Sequence, residues 1–192
     1  RLFDPQNRSF DLETLGFESD TIESFKKLIR QPSGLILLNG PTGSGKTTAI
    51  YSALCHLIDV HGPTISISTV EDPVEFNLPM ISQSQISNSR GFTYPMALRS
   101  LMRQDPEAIM IGEIRDPETA TIAVQAGLTG HMVISTIHSD STAGVYARLI
   151  NMDIEPFLLA SSITGVLGLR LLRTICPRCK TRDQPKPEHL TL

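Results

Sequence analysis

At 192 residues, 40% of them hydrophobic and 19% charged, the chain is long enough to enclose one full core and reads as one main globular domain. A formal charge of -3, from 17 basic and 20 acidic residues without a block of like sign, leaves no electrostatic footprint for non-specific nucleic-acid binding. The three cysteines, Cys55, Cys176 and Cys179, are odd in number and irregular in spacing, which excludes a disulfide framework and fits a reducing compartment.

The chain opens on Arg1 rather than methionine and is read as a fragment of a longer protein. After Asp20, Glu23 stands three positions on and Ile22, Phe25, Leu28 and Ile29 recur at helical spacing, which predicts a capped amphipathic helix ending near Pro32. Gly34 to Asn39 is an unbroken apolar run that predicts a strand buried on both faces, feeding a glycine-rich turn. A second helix follows, with Ile50, Leu54, Leu57 and Ile58 on one side. Ile65 to Val70, Ala108 to Ile111 and Met132 to Thr136 are further strand-like runs, separated by helices led by Pro95 and by Asp116-Pro117. The polar stretch Pro73 to Arg90 reads as an excursion or a small hairpin at the sheet edge. Two more helices are expected over Thr142 to Met152 and Glu155 to Arg173, then a polar, loose tail over residues 181–192. This alternation predicts an α/β domain over residues 1–180, a mostly parallel sheet with helices on both faces. The longest apolar runs, Gly34 to Leu38 and Ala108 to Ile111, fall far short of the ~20 residues needed to cross a bilayer, and no leader pattern is present, so the expectation is a soluble, cytoplasmic protein.

Gly40-Pro41-Thr42-Gly43-Ser44-Gly45-Lys46-Thr47 matches G-x-x-x-x-G-K-[ST] between the predicted buried strand and its helix. Glycines let backbone N–H groups face phosphates without a Cβ in the way, and a helix N-terminus adds its positive end. Lys46 would reach the β and γ phosphates of ATP and Thr47 would ligate Mg²⁺. The loop alone leaves binding without hydrolysis open, so other acids must decide. Ile109 to Glu113 is an apolar strand ending in a carboxylate, placed to hold Mg²⁺ through water or to orient an attacking water. Arg115 beside it is a candidate phosphate or subunit contact; the bland reading of the two is a surface ion pair. Glu71-Asp72-Pro73-Val74-Glu75 also follows a strand and brings three carboxylates to the C-terminal edge, where open α/β sheets bind ligands. His131 and His138 bracket the strand Met132 to Thr136. His138 is expected at that same edge, where it would sense γ-phosphate charge or serve as a structural residue.

These residues resemble a known family, the bacterial type II secretion and type IV pilus assembly ATPases. Gly40 to Thr48 is similar to their Walker A motif, Glu71 to Glu75 to their aspartate box, Arg103 to Asp116 to their Walker B region, and Gly127 to Ser139 to their histidine box. Four motifs in order over about residues 8–180 carry the resemblance. It implies the RecA-like C-terminal motor domain of a longer protein, working as a homo-hexamer in the cytoplasm at the inner membrane, against platform and linker proteins of a secretion or pilus machine. It implies catalytic roles for Glu113, Glu71 and His138, and Mg²⁺ ligation by Thr47, Glu75 and Glu113. Arg99, Arg103 and Arg115 match family arginines with nucleotide, intersubunit or salt-bridge roles. It implies too an additional preceding domain that supplies arginines, so that this fragment alone is a weak ATPase. Cys176-Pro177-Arg178-Cys179 resembles the first half of the family's tetracysteine zinc site, which favours assembly or export over retraction, with zinc expected only in the full-length protein. Without a second pair before Leu192, two free thiols is the other reading. Leu169 departs from the family's glutamine before Arg170.

Rival readings are a retraction, DNA-uptake or conjugative pilus motor of the same superfamily, a non-hydrolysing nucleotide-switch scaffold, and a P-loop small-molecule kinase. The kinase would need an arginine-rich lid, and none is legible.

Overall fold

The structure is a computed structural model that describes residues 10–182. The polar tail expected from residue 181 therefore lies almost wholly outside the described residues. In chain order the elements are α1 (Ser19–Ile29), β1 (Gly34–Asn39), α2 (Lys46–His61), β2 (Ile67–Glu71), β3 (Ser82–Gln85), α3 (Tyr94–Leu101), β4 (Ala108–Ile114), α4 (Pro117–Leu128), β5 (Met132–Ile137), α5 (Thr142–Ile150), α6 (Pro156–Ser162) and β6 (Ile163–Gly168). Among the described residues the six strands all run parallel, in the order β3-β2-β4-β5-β1-β6.

Parallel strands with helical crossovers bury both faces, and successive side chains of a strand point to opposite sides. β1 obeys this residue by residue. Leu35 and Leu37 join the apolar layer under α3, α4, α5 and α6, whereas Ile36 and Leu38 join the layer under α1 and α2. All four are 0% exposed, each worth about 1.5–3 kcal/mol of burial. The same split recurs in β4, with Ile109 and Ile111 on one side and Met110 on the other. Helices therefore cover both faces, and the C-terminal ends of β1, β2, β4 and β5 lie along one edge.

Three expectations need correction. The chain from Glu155 to Arg173 is not one helix: α6 ends at Ser162 and β6 pairs with β1 from Leu35↔Ile163 to Asn39↔Gly168. Helix-poor Ile163-Thr164-Gly165 satisfies the otherwise unpaired side of β1, and tertiary pairing overrides the local period. The stretch Pro73 to Arg90 carries no edge hairpin but a parallel edge strand, β3, registered on β2 from Ser68↔Ser82 to Glu71↔Gln85. Its Ser-Gln-Ser-Gln sequence is polar because β3 has a neighbour on one side only. Finally, Asp20 does not cap α1. The helix starts one residue earlier, its N-cap Glu18 makes no side-chain cap bond, and Glu23 instead meets Lys26 at 3.0 Å.

Candidate functional site

Between β1 and α2 the glycine-rich octet wraps back on itself. Gly40 has φ 144, a region open to glycine, and a Cβ there would lie 2.3 Å from the Leu169 carbonyl oxygen. The first amides of α2, from Lys46 onward, have no carbonyl inside the helix to bond and carry the positive end of its dipole. Lys46 Nζ donates to the carbonyls of Gly40 and Pro41, both at 2.8 Å. Burial lowers its proton affinity, and the nearby Glu113 carboxylate opposes that shift. Ser44 Oγ is buried and has no hydrogen-bond partner among the described residues.

A cavity of about 830 Å³ opens over this loop, ample for a nucleotide by the measure of ordinary ligand pockets. Lys46, Thr47 and Thr48 line it, as do Glu71 at the end of β2 with Asp72 and Glu75 after it, Glu113 on β4 with Arg115 just beyond, and His138 after β5. Leu15, Phe17 and Leu171 add apolar wall.

Glu113 reaches the cavity because β4 is irregular there. The β4–β5 register shifts between Ile111 and Ile114, a bulge that re-aims the strand end. Side chains of β5 take up the carbonyls this leaves: Ser135 Oγ donates to Ile111 O at 2.9 Å and Thr136 Oγ1 to Gly112 O at 2.8 Å. Gly112 also permits close packing, since a Cβ there would stand 2.8 Å from Tyr94 Oη and 3.3 Å from the Val70 carbonyl. The Glu113 side chain is 13% exposed, ion-paired with the far more exposed Arg115, and 3.8 Å from His138 Nε2. The hydrogen bond to Glu113 holds the Arg115 guanidinium even more firmly protonated than usual. Tyr94, at the same cavity, has its phenol pushed well up, first by burial and then by the Glu113 charge.

Glu71 is placed differently. It is 2% exposed, and its carboxylate accepts from Tyr51 Oη on α2, from Thr69 Oγ1 at 2.5 Å and from Gln83 Nε2 on β3 at 3.0 Å.

The remaining expected residues scatter. His131 precedes β5 and so lies at the opposite sheet edge; its carbonyl accepts from Gly34 N at 3.1 Å and its ring nitrogen sits 3.3 Å from Ala126 O. A parallel strand brings only its C-terminal flank, here His138, to the loop edge. Arg99 and Arg103 line a groove between α3 and α4, where Arg99 meets Glu118 at 2.8 Å. Cys176 and Cys179 are free and exposed in a turn closed by Lys180 N to Cys176 O at 3.0 Å, and Cys55 is half-buried on α2. Backbone N–H groups of Arg178 and Cys179 lower the proton affinity of the Cys176 thiol.

Among the described residues no group of three or more His, Cys, Asp or Glu side chains is arranged to hold a metal ion. Two thiols, Cys176 and Cys179, are half of the four ligands that a tetrahedral zinc site takes. Magnesium is another matter: it takes one or two carboxylates and fills its octahedron with phosphate oxygens and water. Thr47, Glu75 and Glu113, all at this cavity, fit that role.

Sequence reasoning missed Tyr51, Thr69, Gln83, Ser135, Thr136 and Tyr94. Only Tyr51 left a trace, a hydroxyl-bearing side chain one turn beyond Thr47 on the helix that opens at the phosphate loop.

The family described as type II/IV secretion system protein matches residues 1–191. The chain belongs to this family. It is 51% identical over 183 residues to the type II secretion system protein HxcR of Pseudomonas aeruginosa, covering 95% of this chain and 38% of that protein. It is also 51% identical over 180 residues to the type IV pilus assembly ATPase PilB of Myxococcus xanthus, covering 94% of this chain and 31% of the relative. The chain thus spans about a third of the length of these curated relatives. Among solved structures, the pilus retraction motor PilT with bound ADP superposes with a TM-score of 0.69 at 33% identity, over 84% of this chain and 48% of PilT. The Legionella pneumophila ATPase DotB gives 0.65 at 31% identity, over 78% of this chain and 41% of its own. The all-parallel sheet with its phosphate-type loop is the RecA-like fold of this secretion family.

Proposed function

We propose that this chain is the nucleotide-hydrolysing core of an ATP-driven motor for type II protein secretion or type IV pilus assembly. The observation that carries the reading is one cavity holding Lys46 and Thr47 from the phosphate loop together with the Glu113 carboxylate, aimed there by the β4 bulge. Backbone amides from Thr42 to Thr48 would bind the phosphates, with Lys46 exchanging its carbonyl partners for their oxygens. Thr47 and the Glu113 and Glu75 carboxylates would hold Mg²⁺, which neutralises charge on the phosphates when bound. Glu113 would then orient a water for in-line attack at the γ phosphorus and accept its proton as the bond to the leaving ADP breaks. His138, within reach of Glu113, would contact the γ-phosphate region.

Export or assembly is favoured over retraction because identity to HxcR and PilB is 51%, against 33% to PilT. In the whole protein we place this core in a homo-hexamer on the cytoplasmic side of the inner membrane, acting on membrane platform and linker proteins. Among the described residues no helix is long and apolar enough to cross a membrane. Hydrolysis would free the strand-end acids from the γ phosphate and so reorient the domain.

The test is Glu113→Gln in the intact protein, assayed by phosphate release and by binding of a fluorescent ATP analogue. Turnover should fall about a thousandfold with analogue affinity kept within about threefold. Undiminished turnover removes Glu113 from the role; tight binding without phosphate release by the unmutated protein turns the reading into that of a nucleotide switch.

A further inference from the structure

Tyr51 and Glu71 are both buried, at 0% and 2% exposure, and bonded to each other between α2 and the end of β2. An ionised carboxylate has two oxygens to satisfy, and in a dry site an unmatched one is expensive. Here both are matched: Oε1 accepts from Thr69 and Gln83, Oε2 from Tyr51. Three donors thus hold Glu71 in place at the cavity wall, and moving it to serve a proton or a metal ion would strain or break those bonds.

The same network reaches the other acids that line the cavity after β2, Asp72 and Glu75. Gln83 Nε2 donates to Phe76 O at 3.0 Å as well as to Glu71, and its Oε1 accepts from Leu78 N at 2.6 Å. Gln85 Oε1 accepts from Val74 N at 3.2 Å. The turn bearing Asp72 and Glu75 is thereby hung on β3 and, through Glu71, on α2. The Tyr51 ring packs edge-on to Phe10, at 5.3 Å between centroids, and to Phe76 at 6.5 Å. Tyr51 lies one helical turn beyond Thr47, so the helix that opens at the phosphate loop also grips the acidic turn.

We propose that Tyr51 is a positioning residue for the hydrolytic site: its hydrogen bond to Glu71 sets the Asp72–Glu75 turn against the phosphate loop, and Glu71 takes no direct part in the chemistry. The inference rests on the nucleotide-hydrolysis reading above. It makes Glu75, rather than Glu71, the β2-side acid available to magnesium.

Tyr51→Phe in the intact protein keeps the ring cluster and deletes only the hydroxyl. Phosphate release should fall about tenfold, and the magnesium concentration for half-maximal rate should rise several-fold. Affinity for a fluorescent ATP analogue in EDTA should stay within about twofold, while the gain on adding magnesium shrinks. Glu71→Gln, whose amide can still accept from Thr69 and Gln83 and can donate to Tyr51 Oη, should keep turnover within about tenfold of the unmutated protein. Two results overturn the proposal: Glu71→Gln losing as much as Glu113→Gln, or Tyr51→Phe leaving both turnover and magnesium dependence unchanged. Should Tyr51→Phe fail to fold, Glu71→Gln decides alone. Should the unmutated protein release no phosphate, hydrolysis fails as a reading, and the magnesium-dependent gain in analogue affinity still tests Tyr51.

Discussion

The ends of β4 and β2 carry the same local message, an apolar parallel strand finishing in a glutamate, yet they present those glutamates in opposite ways. Glu113 stands on a bulge, 13% exposed, and its partners are the exposed cation Arg115 and His138 at 3.8 Å. Glu71 continues a regular ladder, 2% exposed, with three neutral donors closing around it. Exposed ionic partners exchange readily for a ligand, because water screens the pair and replaces what is lost. Buried neutral donors do not, because each broken bond leaves a desolvated polar atom. An acid's position at a strand end therefore does not define its work; what occupies its oxygens does.

The sharpest way to break this contrast is to regularise the β4 end. In Gly112→Ala the new Cβ meets Tyr94 Oη at 2.8 Å and the Val70 carbonyl, a backbone atom, at 3.3 Å, so the Tyr94 side chain must move and the β4–β2 packing must give by a few tenths of an ångström. Stability should fall by about 1–3 kcal/mol in denaturant melts. Turnover should fall by at least about tenfold as Glu113 moves off its line to the phosphate loop. A variant with native turnover would show that the bulge does not aim Glu113.

Thr136→Val probes the same device more gently. It removes the hydroxyl that donates to Gly112 O at 2.8 Å and leaves that carbonyl short of a partner, at about 1 kcal/mol. Phosphate release should drop several-fold with nucleotide affinity unchanged, whereas loss of affinity instead would place Thr136 on the ligand rather than behind Glu113.

How much of this was legible in the sequence follows the range of the interactions concerned. The run Gly34 to Asn39 was readable to the residue because a strand buried on both faces is apolar throughout, and the octet after it because close approach to phosphate demands a fixed order of glycines. Glu113 was readable as a strand-end acid. The bulge that turns it inward was not, because it depends on hydroxyls of β5 more than twenty residues later. β3 was hidden by its edge position, which removes the alternation that marks a half-buried strand, and β6 by an apolar run whose period suits a helix as well. Glu71 was readable as a strand-end acid too, but its enclosure was not, since two of its three donors, Tyr51 and Gln83, come from α2 and β3, neither of which is adjacent in sequence.

The smallest expected effect is also the most direct measure of the contrast. Arg115 is 67% exposed, so its bond to Glu113 is made in a medium close to bulk water, screened over about 8 Å at physiological salt, and it restrains a long side chain besides. A double-mutant cycle on stability, Arg115→Ala with Glu113→Gln, should give a coupling below about 0.5 kcal/mol that shrinks further at 1 M salt. The matching cycle of Tyr51→Phe with Glu71→Gln should give a larger coupling, less sensitive to salt, because both partners are almost wholly buried. If the two cycles return the same coupling with the same salt dependence, the β4 acid is held as fast as the β2 acid, and the division of labour between them has no physical basis.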